Sequence, residues 1–119
     1  MDPEAPRPLT EDESVLLQAI LSHDFPGVEQ LRAQARDLRA KSSCACGCGS
    51  IFLLPRGEGL SASSRQHTVP VSGHVLDDHG DVVGGVVLWL EEGFLSQLEV
   101  HWNDNPIPIP NVDNVEWVL

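Results

Sequence analysis

The spacing of hydrophobic residues divides the chain into a helical first part and a second part made of strands. Within Val15–Ile20, and again within Val28–Leu38, apolar residues recur at positions that share one face of a helix. Thr10 and Glu13 have the spacing of a capping box, which predicts the start of the first helix. The pattern therefore predicts two amphipathic helices. The short break at Asp24–Gly27 makes them antiparallel neighbours.

After the helices the pattern changes to one that is typical of strands. Leu38–Ser42 alternates and permits a strand, although the second helix competes for its first residues. Ser50–Leu54 is rich in strand-forming residues. A meander of three further strands is predicted at Thr68–Leu76, Val82–Leu90 and Phe94–Trp102. Because Val82–Leu90 is almost wholly apolar, we expect a central strand that is covered on both faces.

Helices and strands are segregated along the chain, which favours an α+β fold over an alternating α/β fold. We predict two N-terminal helices packed on a mainly antiparallel sheet of four to five strands. Residues 1–9, which are rich in proline, are predicted to be a disordered tail, and residues 10–119 a single α+β domain. The apolar residues Val115 and Trp117 lead us to expect that the C-terminal end docks on this domain.

The charge of the chain restricts its partners. Its 119 residues include 7 Lys and Arg against 18 Asp and Glu, a formal net charge of −11. Such a field repels nucleic-acid phosphates and anionic lipids, so we expect neither nucleic-acid nor membrane binding. A basic protein partner would fit, and acidity that serves only solubility is the simpler alternative. The chain shows no apolar signal segment and no run long enough to span a membrane, which predicts a cytoplasmic location.

The three cysteines, Cys44, Cys46 and Cys48, form the most concentrated cluster of reactive residue types. Same-face neighbours on a strand lie about 6.6–6.8 Å apart, whereas sulfurs around one zinc ion lie less than about 4 Å apart. Only a curled hairpin tip with a fourth ligand could therefore bind zinc. Two of the thiols could instead form a labile disulfide. The alternative is a tight turn in which the cysteines are small hydrophobic residues.

Two other polar clusters have simpler interpretations. Asp77–Asp81 could bind a cation, and His101–Asn105 could line a pocket, but both have the composition of turns. The chain contains no nucleophile elbow, phosphate-binding glycine loop or metalloprotease helix. This absence of a catalytic motif favours a protein that is not an enzyme.

Three segments, His23–Arg32, Cys44–Cys48 and Gly93–Val100, resemble a group of small uncharacterised bacterial proteins. The resemblance covers most of the chain after the tail and implies a shared fold without an assigned activity. We therefore predict a small acidic binding or regulatory module that acts through protein–protein interaction. The alternative is a zinc-binding or thiol-redox protein that uses Cys44, Cys46 and Cys48.

Overall fold

The structure, a computed structural model, describes residues 6–42, 49–55 and 67–118. Helix α1 spans Glu11–Leu21 and helix α2 spans Val28–Gln34, and a short 3-10 helix follows at Ala35–Asp37. The predicted capping box is present, because the Thr10 hydroxyl accepts a hydrogen bond from the backbone N–H of Glu13. None of the helices in the described ranges is long and apolar enough to cross a membrane.

The described residues form one antiparallel sheet of seven strands. The strands are β1 (Arg7–Pro8), β2 (Leu38–Ser42), β3 (Ile51–Pro55), β4 (Thr68–Leu76), β5 (Val82–Glu91), β6 (Phe94–Trp102) and β7 (Val115–Val118). Their order across the sheet is β1-β2-β3-β6-β5-β4-β7. The predicted α+β class is confirmed, whereas the predicted sheet of four to five strands is too small.

The strands missing from the prediction lie at the two edges of the sheet. Strand β1 lies inside residues 1–9, the predicted disordered tail, and its Arg7 pairs with Ala40. Two residues are too few to show an alternating pattern, so the sequence does not reveal this strand. Strand β7 pairs with β4 along Ser72–Val75, which confirms that the C-terminal end docks.

A bidentate ion pair fastens β1 to α1. The two terminal nitrogens of Arg7 donate to the two carboxylate oxygens of Glu13 at 2.8 and 2.9 Å. Burial by itself would raise the pKa of Glu13, but hydrogen bonds from Arg7 and Thr10 outweigh burial and hold that pKa below its ordinary value. The same hydrogen bond raises the pKa of Arg7. The charged pair therefore holds β1, the edge strand, against helix α1.

Both helices pack on one face of the sheet, and the buried side chains form one cluster. Its most buried members are Leu16, Leu17, Ile20, Leu31, Val86, Leu88, Leu95, Leu98 and Val100. From Gly84 to Leu90 the even-numbered residues of β5 lie on the side of this cluster, so Val87 and Trp89 point away from the helices. Strand β5 is interior, as predicted. The expectation that it is covered on both faces is wrong, because the side chain of Trp89 is exposed.

Gln34 joins the helical layer to the hairpin between β5 and β6. Its side chain is 1% exposed. The amide nitrogen donates to the carbonyl oxygen of Gly93 at 3.0 Å, and the amide oxygen accepts from the N–H of Leu95 at 2.8 Å. These contacts fix α2 across the start of β6, so the helices cover one side of the central strands. Within residues 6–42, 49–55 and 67–118, no helix covers the other side.

Candidate functional site

The predicted cysteine site lies outside the described residues. Cys44, Cys46 and Cys48 all fall in the gap between β2 and the chain that leads into β3. Just after this gap the hydroxyl of Ser50 accepts from the N–H of Val100 at 2.7 Å and donates to the carbonyl oxygen of Val100 at 3.1 Å. Ser50 thus fixes the start of β3 to β6. The zinc and thiol hypotheses stay predictions.

The acidic segment Asp77–Asp81 is a turn. One carboxylate oxygen of Asp77 accepts from the backbone N–H of His79 at 2.8 Å and of Asp81 at 2.9 Å. Gly80 adopts a φ of 81°, which suits glycine. The carboxylate of Asp77 is therefore engaged in holding the turn. Across the three described ranges, no group of three or more His, Cys, Asp or Glu side chains is placed to hold a metal ion.

The segment His101–Asn105 lies at the end of β6. The side-chain amide of Asn103 donates to the carbonyl oxygen of Val82 at 3.2 Å, and its backbone N–H donates to Val83 at 3.1 Å. The ring of His101 lies over Gly85, where any larger residue would collide with it. This arrangement is that of a strand stop.

The face of the sheet opposite the helices carries a row of side chains across five strands. Lys41 on β2 pairs with Phe52 on β3, and Phe52 pairs with Gln97 on β6. Gln97 pairs with Trp89 on β5, and Trp89 pairs with Thr68 on β4. Because paired residues of an antiparallel sheet point to the same face, these side chains lie in one line. Phe52 is 41% exposed and Trp89 is 37% exposed.

Further apolar side chains surround this row. Leu54 follows Phe52 on the same face of β3 and is also exposed. Together these residues form what we call the open-face patch, which consists of Phe52, Leu54, Pro70, Val87, Trp89 and Val118. Single exposed apolar residues are ordinary on protein surfaces, whereas these lie in two groups on either side of Gln97 and include two aromatic residues, an arrangement that favours an interaction site.

The patch continues into a cleft between β3 and β6. These strands pair only at Ile51 and Phe52, and they diverge beyond that point. The opening is a cavity of about 410 Å³ whose wall includes Leu54, Phe94 and Glu91. Concave apolar surface beside an exposed aromatic residue is a common setting for bound side chains.

Positive and negative residues lie on different sides of the open-face patch. The cations Arg39 and Lys41 lie on β2, beside Leu54 and Phe52. The carboxylates on this face lie on the central strands and the opposite edge, at Glu91, Glu99 and Glu116. The open face therefore has a basic flank on the side of β2 and acidic groups on the side of β5 and β7.

The sequence pattern did not single out this surface. Strand β5 is apolar at consecutive positions, which predicts burial on both faces, and the pattern of β3 indicates only a strand. The available signal was the position of Phe52 and Trp89, which alternate with the core residues Leu53 and Leu88. A large aromatic residue on the face opposite the core indicates that this face is covered, either by another part of the same chain or by a partner protein.

Searches among known protein families, characterised proteins and solved structures found no match to this chain.

Proposed function

We propose that this chain is a protein-interaction module that binds another protein through the open-face patch. The observation that carries the proposal is the exposure of Phe52 and Trp89 in one row on a face that the helices leave uncovered. Aromatic residues are enriched in the buried centres of protein interfaces and contribute much of the binding energy there.

The shape of the face favours a protein over a small molecule. The row is five strands wide, and the cavity beside it is an open cleft rather than an enclosed chamber. Apolar sheet faces are ordinarily covered by a second layer of helices or strands, because the apolar surface must be removed from water. A partner protein would supply that layer.

The charge of the chain influences the choice of partner at long range and at short range. The net charge of −11 favours a basic protein at long range. At short range the partner must also present acidic or polar groups to Arg39 and Lys41, which border the apolar row. A uniformly basic surface would therefore fit only one flank of the patch.

Photo-crosslinking in cells that produce the chain naturally tests this function. A photoreactive p-benzoylphenylalanine replaces Phe52 or Trp89, and the matched control carries it at Val15, which is exposed on α1. We expect discrete protein adducts from the two sheet positions and none from Val15. The proposal is wrong if no adduct forms at Phe52 or Trp89, or if all three positions give the same adducts.

A further inference from the structure

We infer that the protein bound by the open-face patch is a second copy of this chain, so that two sheets pack face to face around a twofold axis. This inference rests on the proposed function and names its partner. Sheets that stack in this way keep their strands roughly aligned and interdigitate the side chains of their facing surfaces.

The first argument is the symmetry of the row. Gln97 lies at its centre, with Phe52 one strand away on one side and Trp89 one strand away on the other. A twofold axis that runs parallel to β6 through Gln97 reverses this order in the second copy. Phe52 then lies against the copy's Trp89, and Trp89 lies against the copy's Phe52. Gln97 meets its own equivalent, and an amide can both donate and accept in such a pair.

The second argument is the placement of charge. Arg39 on β2 pairs with Leu54 on β3, and Leu54 lies two residues beyond Phe52 of the central row. Glu91 on β5 lies two residues beyond Trp89 of the same row. Arg39 and Glu91 are therefore at the same distance from the row along the strands. The axis parallel to β6 brings Arg39 to the strand beside the copy's Glu91. An axis perpendicular to the strands and running along the row would instead place Lys41 against its own equivalent, which is unfavourable. The axis parallel to β6, which also joins the aromatic residues, therefore adds a contact between Arg39 and Glu91 that the perpendicular axis lacks.

One consequence of this axis is a repulsive contact. Glu99 lies on β6, next along the open face after Gln97, and so faces the copy's Glu99. Two copies of net charge −11 also repel each other at long range, and salt screens this repulsion beyond about 8 Å at physiological ionic strength. Replacing Glu99 by glutamine removes the contact, so Glu99→Gln should tighten the dimer.

The size of the face sets the expected strength. Strands about 4.8 Å apart and residues about 3.4 Å apart give a patch of roughly 20 by 17 Å, with the polar side chain of Gln97 within it. This projected area is smaller than the roughly 800 Å² that each partner buries in a stable complex of standard size. We therefore expect a reversible dimer that dissociates in the micromolar range.

Sedimentation velocity of the full chain over micromolar concentrations tests the inference. The expected result is a mass that rises from one chain of 13.0 kDa toward two. Phe52→Glu and Trp89→Lys, each alone, should weaken the dimer by about tenfold or more. An equal mixture of the two variants should recover association, because the introduced opposite charges face each other while the remaining Phe52 and Trp89 still meet. Val15→Glu, on α1, is the matched control and should leave the mass unchanged.

The outcomes separate this inference from the proposed function. A chain that stays monomeric at every concentration, or a variant mixture that fails to recover, overturns the twofold dimer. If the cell experiment then gives an adduct with a different protein at Trp89, the interaction function stands with another partner. If it gives no adduct, both proposals fail. Circular dichroism of each variant checks that the substituted surface residues leave the fold intact.

Discussion

Among single residues, Glu13 takes part both in a local capping box with Thr10 and in an ion pair with Arg7 of strand β1. The capping box with Thr10 is local, and the sequence predicts it. The ion pair with Arg7 depends on the chain before α1 turning back to pair with β2, which no short-range pattern reveals. One carboxylate therefore caps a helix and fixes an edge strand.

The charge on Glu13 predicts a pH-dependent contribution to stability. Its pKa is lower in the folded chain, so the folded state binds fewer protons at this carboxylate than the unfolded state does. The contribution is present above the pKa of the unfolded state and is lost as pH falls through the folded pKa. Glu13→Gln keeps a residue that can cap the helix but removes the charge. We expect it to cost about 1 kcal/mol near neutral pH.

Urea unfolding of the wild type and of Glu13→Gln at neutral and at acidic pH measures this contribution. The difference in unfolding free energy should shrink toward zero in acid, because both proteins are then uncharged at position 13. Glu11→Gln is the control, since Glu11 lies in the same helical turn and is exposed. A difference that is the same at both pH values would show that the ion pair does not contribute in this way.

Between elements, Gln34 is the contact that holds α2 on the sheet. Gln34→Leu keeps a similar volume but leaves the carbonyl of Gly93 and the N–H of Leu95 without the side-chain amide. A buried polar group that loses its partner costs about 1–3 kcal/mol, and we expect a loss of that size. Gln30→Leu on the exposed side of α2 should change stability little. Urea unfolding measures both variants.

Hydrogen exchange identifies where the Gln34 substitution acts. The amide of Leu95 should exchange faster in Gln34→Leu than in the wild type, since it loses its acceptor. The contrary result is an unchanged exchange rate at Leu95 together with unchanged stability. In that case the helix would be held on the sheet by apolar packing alone.

The five inner strands were predictable and the two edge strands were not. Thr68–Leu76 and Phe94–Trp102 have the predicted bounds, because long alternating segments record which face is buried. Strand β7 is found only through its pairing with β4, which lies far away in sequence. Helix α2 ends before Leu38 because the chain there joins the sheet beside β3. Strand pairing between distant parts of the chain therefore determines strand β7 and the end of helix α2, which the local sequence pattern does not determine.

Across the whole molecule, the two faces of the sheet differ in what covers them. The sequence predicts that β5 is apolar on both sides, but it does not specify whether the second cover comes from the same chain or from another. For the same reason the strands that carry Phe52 and Trp89 were predictable, whereas their role as a surface was not. The charge of the chain is consistent with an exposed apolar patch, since net charge keeps such a protein soluble.

Hydroxyl-radical footprinting tests the role of this surface most directly. The method reports the solvent exposure of individual side chains, and it can be applied to the full chain at concentrations below and above the expected dissociation constant. We predict that Phe52, Leu54 and Trp89 become protected at the higher concentration, while exposed Val15 on α1 reacts equally at both. Equal reactivity of Phe52 and Trp89 at both concentrations, or equal protection of Val15, would contradict the assignment of the open-face patch as the binding surface between two copies.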